Sequence, residues 1–187
     1  YHKSKRCNFF FLVIFIENIT YMKIVVSPAK SLDFESKLPS KTATQPLFLD
    51  QAAQLNKKLE SKSKKAIGDL MHISDKLADL NYLRYKDFSL PFNSQNARQA
   101  VFAFAGDVYT GLDPYSLEES KIDALNDTLR ILSGMYGILR PLDLIQPYRL
   151  EMGTALGVNK AKNLYEFWGS TLTDAINEEL KEGELFL

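Results

Sequence analysis

Short apolar runs and longer amphipathic stretches alternate along this chain, and the pattern predicts a mixed α/β fold. Residues 22–27 (MKIVVS) form a β-branched run that ends before Pro28, which predicts a buried strand. Residues 101–105 (VFAFA) predict a second buried strand, and 184–187 resemble the start of a third. Because helical patterns surround these runs, we expect a single domain with a central sheet covered by helices.

Apolar residues at steps of three and four predict the helices. The predicted helices cover residues 47–60, 66–71, 75–88, 93–100, 116–135 and 163–181. Ser74 is a natural N-cap, and in the helix that follows it Leu77, Leu80 and Leu83 are expected to face inward. The only tryptophan, Trp168, falls on the inward face of the last helix and is expected to anchor its packing.

The helix predicted over 116–135 begins with Ser116 and Glu119, which have the spacing of a capping box. Its apolar positions form one stripe, which predicts core packing rather than a cofactor site. Gly134 and Gly137 are expected to end this helix. The following Arg140–Pro141 pair cannot continue it, because a residue before proline avoids the helical region.

Residues 130–153 (RILSGMYGILRPLDLIQPYRLEMG) join glycines, prolines, arginines and acids in one stretch. A segment that only filled a core would not need this mixture, so function is expected here or against it. Within it, residues 148–152 alternate and predict a short strand that carries Arg149 and Glu151 on one face. Arg149 would bind an anion or pair with a neighbouring acid.

Polar side chains follow both predicted strands, where α/β proteins often bind ligands. Ser27 and Lys30 follow the first strand, and Asp107 and Tyr109 follow the second. If the two strands lie side by side, these groups would build one site, whereas the alternative is that they only close turns. The candidate catalytic residues are Lys30, Asp107, Tyr109 and Glu151.

Composition narrows the chemistry. The 187 residues carry 23 basic and 23 acidic side chains, so an anion site must come from local clustering. The lysines at 57, 58, 62, 64 and 65 form a basic run that would suit phosphates, although such runs are more often solvated surface. Cys7 is the only cysteine, which excludes a disulfide framework and a Cys/His zinc site. No metal, other cofactor or disulfide partner is predicted.

Residues 1–21 are interpreted as an extension that precedes the true start at Met22. They imitate a signal peptide, but the apolar run 9–16 has only eight residues and no small-x-small cleavage site follows. That run is also too short to cross a bilayer as a helix, so no membrane partner is expected. At the other end, a strand beginning at 184–187 suggests a domain that continues beyond the sequence.

Several stretches of 22–187 resemble the YaaA family of bacterial peroxide-stress proteins. They are SPAKSLDF, LMHISDKLADLN, NARQAVFAFAGDVYTGL, LRILSGMYGILRPLDLIQPYRLEMG and KNLYEFWG. The resemblance implies a cytoplasmic protein that limits oxidative damage and binds DNA. It also implies a mixed α/β fold with a positively charged cleft and an element like a helix-hairpin-helix. By position that hairpin would be the turn at 133–139, although its two glycines are three residues apart rather than two.

Three hypotheses follow, of which the third is a structural or interaction protein whose charges only pair with one another. In the first, the protein binds double-stranded DNA without sequence preference and limits damage that depends on iron and peroxide. The anion-contacting residues would be Lys30, Lys76, Gly134, Gly137, Arg140 and Arg149. In the second, an uncharacterised enzyme acts on a nucleotide or nucleobase in the cationic cleft. In either, peroxide protection would be indirect, because no thiolate follows Cys7.

Overall fold

The computed structural model describes residues 22–187, and a four-stranded mixed sheet forms its centre. The strands, in spatial order, are β6 (Gly137–Leu139), β5 (Leu129–Ser133), β1 (Met22–Val26) and β8 (Leu185–Phe186). Strand β1 is parallel to both β5 and β8, whereas β6 returns antiparallel to β5. Strands form at both predicted places, 22–27 and 184–187, although β1 is only partly buried where a buried strand is predicted. The extension predicted at 1–21 lies outside the described residues.

Helices surround this sheet, and two further sheets of two strands each lie outside it. The helices are α1 (Leu49–Glu60), α2 (Lys64–Met71), α3 (Asp75–Asp87), α4 (Ala100–Ala103), α5 (Asp107–Leu112), α6 (Glu119–Thr128), α7 (Leu164–Trp168) and α8 (Thr171–Glu179), with a short 3-10 turn at Pro114–Ser116. The small sheets pair β2 (Ser31–Leu32) with β4 (Phe104–Ala105), and β3 (Arg98–Gln99) with β7 (Leu144–Ile145). None of the helices described is both long and apolar enough to cross a bilayer.

A large hydrophobic core lies between the sheet and the helices. Leu55 and Leu59 of α1 contribute to it, together with Ile131, Leu139 and Trp168, and all five side chains are buried. A smaller cluster forms around α4 and α6. This arrangement confirms the predicted mixed α/β class, with a central sheet and surrounding helices in a single domain.

The long helix predicted over 116–135 is wrong beyond Thr128. Residues 129–133 form strand β5, whose Leu129 and Ile131 pair with Ile24 and Val26 of β1. The apolar residues of β5 continue the helical spacing only by coincidence, because pairing with a distant strand decides their conformation. The predicted capping box is also absent, since Ser116 donates its hydroxyl to the Asp113 carbonyl instead.

The buried strand predicted at 101–105 is wrong over most of its length. Residues 100–103 form the short helix α4, and only Phe104 and Ala105 are extended. A fully buried apolar run of this length carries no period that separates strand from helix. The helix predicted at 93–100 is also absent, because Arg98 and Gln99 pair with β7 as strand β3.

Helix α3 forms as predicted, but with the opposite face buried. Leu77, Leu80 and Leu83 are 38%, 43% and 54% exposed, whereas Asn81 and Tyr85 are buried. Asn81 is satisfied within the helix, because its side-chain amide donates to the carbonyl of Leu77 at 2.8 Å. The prediction that this leucine stripe faces inward is therefore wrong, and α3 packs instead through Ala78, Asn81 and Tyr85.

The final helical region is two helices rather than one. Gly169 interrupts it with a φ of 50°, a left-handed conformation that favours glycine. The predicted cap is confirmed, because the Asn163 side chain accepts a hydrogen bond from the backbone N–H of Glu166 at 2.9 Å. Trp168 is the packing anchor expected, since it is buried edge-on against Phe48.

Candidate functional site

A cavity of about 280 Å³ opens where β1 and β5 end side by side. The two strands are parallel, with Val26 opposite Ile131, so their carboxyl ends leave the sheet at the same edge. We call it the strand-end cavity. It is lined by Ser27, Pro28, Ala29, Lys30, Leu132, Gly134, Tyr148, Arg149, Leu150, Glu151 and Met152.

One glycine allows this cavity to form. Segment 148–152 crosses directly over Gly134, where an added Cβ would lie 2.5 Å from the carbonyl oxygen of Leu150. No side chain fits in that space, so the close approach requires glycine. The indole N–H of Trp168 donates a hydrogen bond to the Gly134 carbonyl at 3.2 Å and so also fixes the position of this glycine. The segment is irregular, so the strand predicted at 148–152 is wrong.

Buried tyrosines fix the surroundings of the cavity. The hydroxyl groups of Tyr148 and Ser133 lie 2.7 Å apart, and Tyr109 donates its hydroxyl to the Ser27 carbonyl at 3.1 Å. Tyr85 donates to the backbone carbonyl of Arg149. Burial raises the pKa of Tyr85, Tyr109 and Tyr148 above the ordinary tyrosine value, so these phenols remain protonated donors.

Two cations meet one carboxylate at the mouth of the cavity. The Lys30 Nζ lies 3.2 Å from Oε1 of Glu151, and the Arg149 Nη2 lies 3.3 Å from the same oxygen. Lys30 and Glu151 are 64% and 52% exposed, whereas the Arg149 side chain is only 17% exposed. The Nε of Arg149 is buried and has no hydrogen-bond acceptor within residues 22–187. The trio therefore carries one excess positive charge.

The same ion pair borders a second space, which we call the neighbouring cavity. It measures about 310 Å³ and its lining includes Met71, His72, Arg149, Glu151 and Thr154. The side chains of Arg149 and Glu151 thus stand between two hollows. A half-exposed carboxylate in this position has space on both sides into which it can rotate.

The structure brings together some of the residues selected from the sequence. Lys30, Gly134, Arg149 and Glu151 all line the strand-end cavity, and Tyr109 supports it through Ser27. Lys30 pairs with Glu151. Tyr148 and Ser133 are not predicted from the sequence, because their contact joins the end of β5 to a residue 15 positions later, beyond β6 and β7. The only feature of the sequence that points to Tyr148 is its position next to Arg149.

Other selected residues lie elsewhere. Asp107 is in the first turn of α5 and Lys76 in the first turn of α3, and neither lines the strand-end cavity. Arg140 contacts Asp143, donating from its backbone N–H at 2.7 Å and from its guanidinium at 3.3 Å. Burial raises the pKa of the Asp143 carboxyl, while hydrogen bonds from Thr44 and Arg140 oppose that shift.

The turn at 133–139 is not a helical hairpin. It joins the antiparallel strands β5 and β6, with Ser133 paired to Gly137, so the predicted position is wrong. Gly137 has a φ of 69° in that turn, which explains its glycine. A pair of helices joined by a short turn does occur at α2 and α3, where His72, Ile73 and Ser74 form the connection and His72 is left-handed with a φ of 51°.

Four lysines, three of them exposed and Lys62 half-buried, lie next to that helical pair in the chain. Lys57 and Lys58 are in the last turn of α1, Lys62 follows it, and Lys65 is in the first turn of α2. We call these four residues the lysine surface. Nowhere in the described structure does an acidic side chain pair with any of them, whereas Lys64 pairs with Asp79 at 3.1 Å.

Metal chemistry has no prepared site in the described part of the chain. No three side chains of His, Cys, Asp or Glu within residues 22–187 are grouped so that they would hold a metal ion. The lining of the strand-end cavity instead contains two cations, one carboxylate, the Tyr148 phenol and the Ser27 hydroxyl. Such a set suits recognition of an anion and proton transfer at Glu151.

Comparison with known proteins places the chain among relatives of similar sequence. A UPF0246 protein of Flavobacterium johnsoniae is 57% identical over 166 residues, which are 89% of this chain and 66% of that protein. A UPF0246 protein of Hahella chejuensis is 60% identical over 161 residues, covering 86% of this chain and 63% of the relative. This chain therefore spans slightly less than two thirds of these relatives. The family model described as peroxide stress protein YaaA matches residues 22–187, and the chain belongs to that family.

Proposed function

We propose that this protein serves the peroxide stress response by binding double-stranded DNA through its phosphate backbone. Family membership supports the stress-response role. The observation that carries DNA binding is the lysine surface, whose four side chains have no acidic partner within residues 22–187. Lys57, Lys58 and Lys65 are exposed, and Lys62 is half-buried. Each phosphate neutralised by such a lysine releases counterions, so the affinity would depend on salt and not on base sequence.

The helical pair of α2 and α3 extends this surface. Lys76, in the first turn of α3, adds a further exposed cation, and the Ser74 side chain makes no capping bond to the helix start. Asp75 and Asp69 lie in the same region and would repel phosphate. We therefore assign the main contacts to lysine side chains, with the amides of the helix start in a lesser role.

Protection by this route would be indirect. The chain has no cysteine after Cys7, so residues 22–187 offer no thiolate that could reduce peroxide. A protein that covers the DNA backbone would limit the access of iron and of the radicals that iron and peroxide generate. This mechanism needs only phosphate contacts, in agreement with the four unpaired lysines.

The experiment compares two variants that lose equal charge. One carries K57Q, K58Q, K62Q and K65Q, and the matched control carries K37Q, K41Q, K121Q and K160Q, which are exposed lysines elsewhere. Binding to a labelled duplex is measured by fluorescence anisotropy over a salt series. We expect the first variant to lose affinity and to reduce the salt slope by roughly 0.9 for each phosphate that is no longer neutralised. Equal losses in both variants, or no salt-sensitive binding by the unmodified protein, would contradict the proposal.

A second candidate function is catalysis on a nucleotide or nucleobase, and the strand-end cavity favours it. Glu151 is the carboxylate in that lining and lies beside two cations, and it could accept a proton from a bound ligand as a general base. The test is mass-spectrometric analysis of nucleotides and nucleosides after incubation with the protein. A product that forms with the unmodified protein and disappears with Glu151→Gln would support catalysis. No product from any nucleotide would remove this candidate and leave DNA binding unaffected.

A further inference from the structure

We propose that the strand-end cavity binds the oxyanion of a small organic molecule, either a phosphate monoester or a carboxylate, between Lys30 and Arg149. Glu151 occupies this position in the structure described and would be displaced by the ligand. The proposal deepens the second candidate function by naming the ligand class, although it requires binding only and not turnover. It is independent of the lysine surface, which lies on other elements.

The first argument is the balance of charge and donors. Two cations share a single oxygen of Glu151, at 3.2 and 3.3 Å, so one positive charge is not neutralised. The guanidinium of Arg149 is mostly buried, and its Nε has no acceptor within residues 22–187. A buried charged donor without an acceptor is unfavourable and marks a position where a ligand atom would bind.

The second argument is geometry. A guanidinium binds carboxylate or phosphate through two parallel N–H donors, and Nε with Nη2 is one such pair. Glu151 contacts only Nη2 of Arg149, through one oxygen. An incoming oxyanion would satisfy both nitrogens, and Lys30 would supply the second charge from the other side. Glu151 is half exposed and borders the neighbouring cavity, so it has a place to move.

The third argument is the remainder of the lining. Pro28, Ala29, Leu132, Leu150 and Met152 supply apolar contacts around the charged mouth. A cavity of about 280 Å³ is slightly smaller than most ligand sites, which are commonly about 300 to 1,000 Å³. The ligand would therefore be a small molecule with one anionic group and an apolar or aromatic body. A nucleoside monophosphate is the natural probe for the phosphate form.

The test is isothermal titration calorimetry on the full chain with four probes. Adenosine 5′-monophosphate and inorganic phosphate represent the phosphate form, benzoate represents the carboxylate form, and adenosine is the uncharged control. We expect at least one anionic probe to bind and adenosine not to bind, and the probe that binds identifies the anionic group. Absence of binding by all three anions would overturn the proposal.

Variants then separate this site from general charge. Glu151→Gln removes the resident competitor, so the bound anion should bind several-fold more tightly. Arg149→Lys keeps the charge but loses the paired donors, and should weaken binding about tenfold, the value of one charge-assisted hydrogen bond. Lys121→Gln changes an exposed lysine on α6 and should leave binding unchanged. Weaker binding by Glu151→Gln, or unchanged binding by Arg149→Lys, would overturn the proposal.

A folding control and a replacement variant complete the test. Circular dichroism verifies that each variant folds, and if Arg149→Lys does not, the exposed Lys30→Gln replaces it and should weaken binding several-fold. Anion binding that is strengthened by Glu151→Gln in a protein without nucleotide turnover would support this inference while removing the catalytic candidate. If the lysine surface proved not to bind DNA, the proposal of an anion site in the strand-end cavity would be unaffected.

Discussion

The strand-end cavity and the lysine surface are both cationic, yet they depend on different parts of the structure. The cavity exists because Gly134 lets one backbone segment cross another, and because buried tyrosines tie its lining together. The lysine surface consists of side chains on two helices and the loop between them, three exposed and one half-buried, and none of them makes an ion pair within residues 22–187. The first should be sensitive to small covalent changes and the second tolerant of them, because only the first combines charge with close packing.

Alkaline pH should affect the cavity region most, by unfolding it. Burial raises the pKa of Tyr85, Tyr109, Tyr136 and Tyr148 in the folded state. The unfolded chain then releases these protons first, at the ordinary tyrosine value of about 10. Their contribution to stability is complete below about pH 10 and is lost as the pH rises above that value.

The measurement follows tyrosinate absorbance and circular dichroism together while the pH is raised. We expect the absorbance of the buried tyrosines and the circular dichroism signal to change at the same pH, because these tyrosines ionise only when the protein unfolds. Ionisation of every tyrosine before any loss of secondary structure would show that the phenols are accessible, and would remove the contrast between the two regions.

Gly134→Ala should have the next largest effect. Its Cβ would meet the backbone of segment 148–152 at 2.5 Å, so the variant should lose about 3 kcal/mol of unfolding free energy. The control is Gly111→Ala in α5, where no atom lies within 4 Å of the added Cβ. That control should be neutral or more stable by roughly 0.5–1 kcal/mol, since alanine favours helices. Urea unfolding measures both, and equal values for the two variants would contradict the described crossing.

The smallest effect is expected from the four-lysine variant of the lysine surface. K57Q, K58Q, K62Q and K65Q together should alter the unfolding free energy by no more than about 0.5 kcal/mol, because these side chains make no ion pair within residues 22–187. The same urea titration provides the value. A loss comparable with that of Gly134→Ala would show that the surface is structural, and the comparison between the regions would fail.

Local patterns in the sequence determine some elements and not others. The Asn163 cap and the β-branched strand at 22–27 form through neighbouring residues or strong propensity, and both predictions are confirmed. Strand β5 could not be predicted, since Leu129 and Ile131 adopt it only by pairing with β1, more than 100 residues earlier. On α3, the leucines that suggest an inward face are exposed because the helix buries its opposite face, which carries Asn81 and Tyr85.

The candidate site is predictable only in part, for the same reason. The mixed composition of segment 130–153 points to it, and the cavity does contain Arg149 and Glu151. The partnership of Lys30 with Glu151 joins residues far apart in the chain and depends on how β1 and β5 lie side by side. Arg140 is expected from the sequence to contact a phosphate, but the buried carboxylate of Asp143, three residues later, holds it instead.

The bond from Trp168 to Gly134 gives this protein an optical probe of its own. The chain has one tryptophan, and its indole N–H donates to the residue over which segment 148–152 crosses. Its fluorescence therefore originates from a single, known place against the back of the strand-end cavity. A change of emission on adding a ligand would report a displacement of that backbone, without any label attached to the protein.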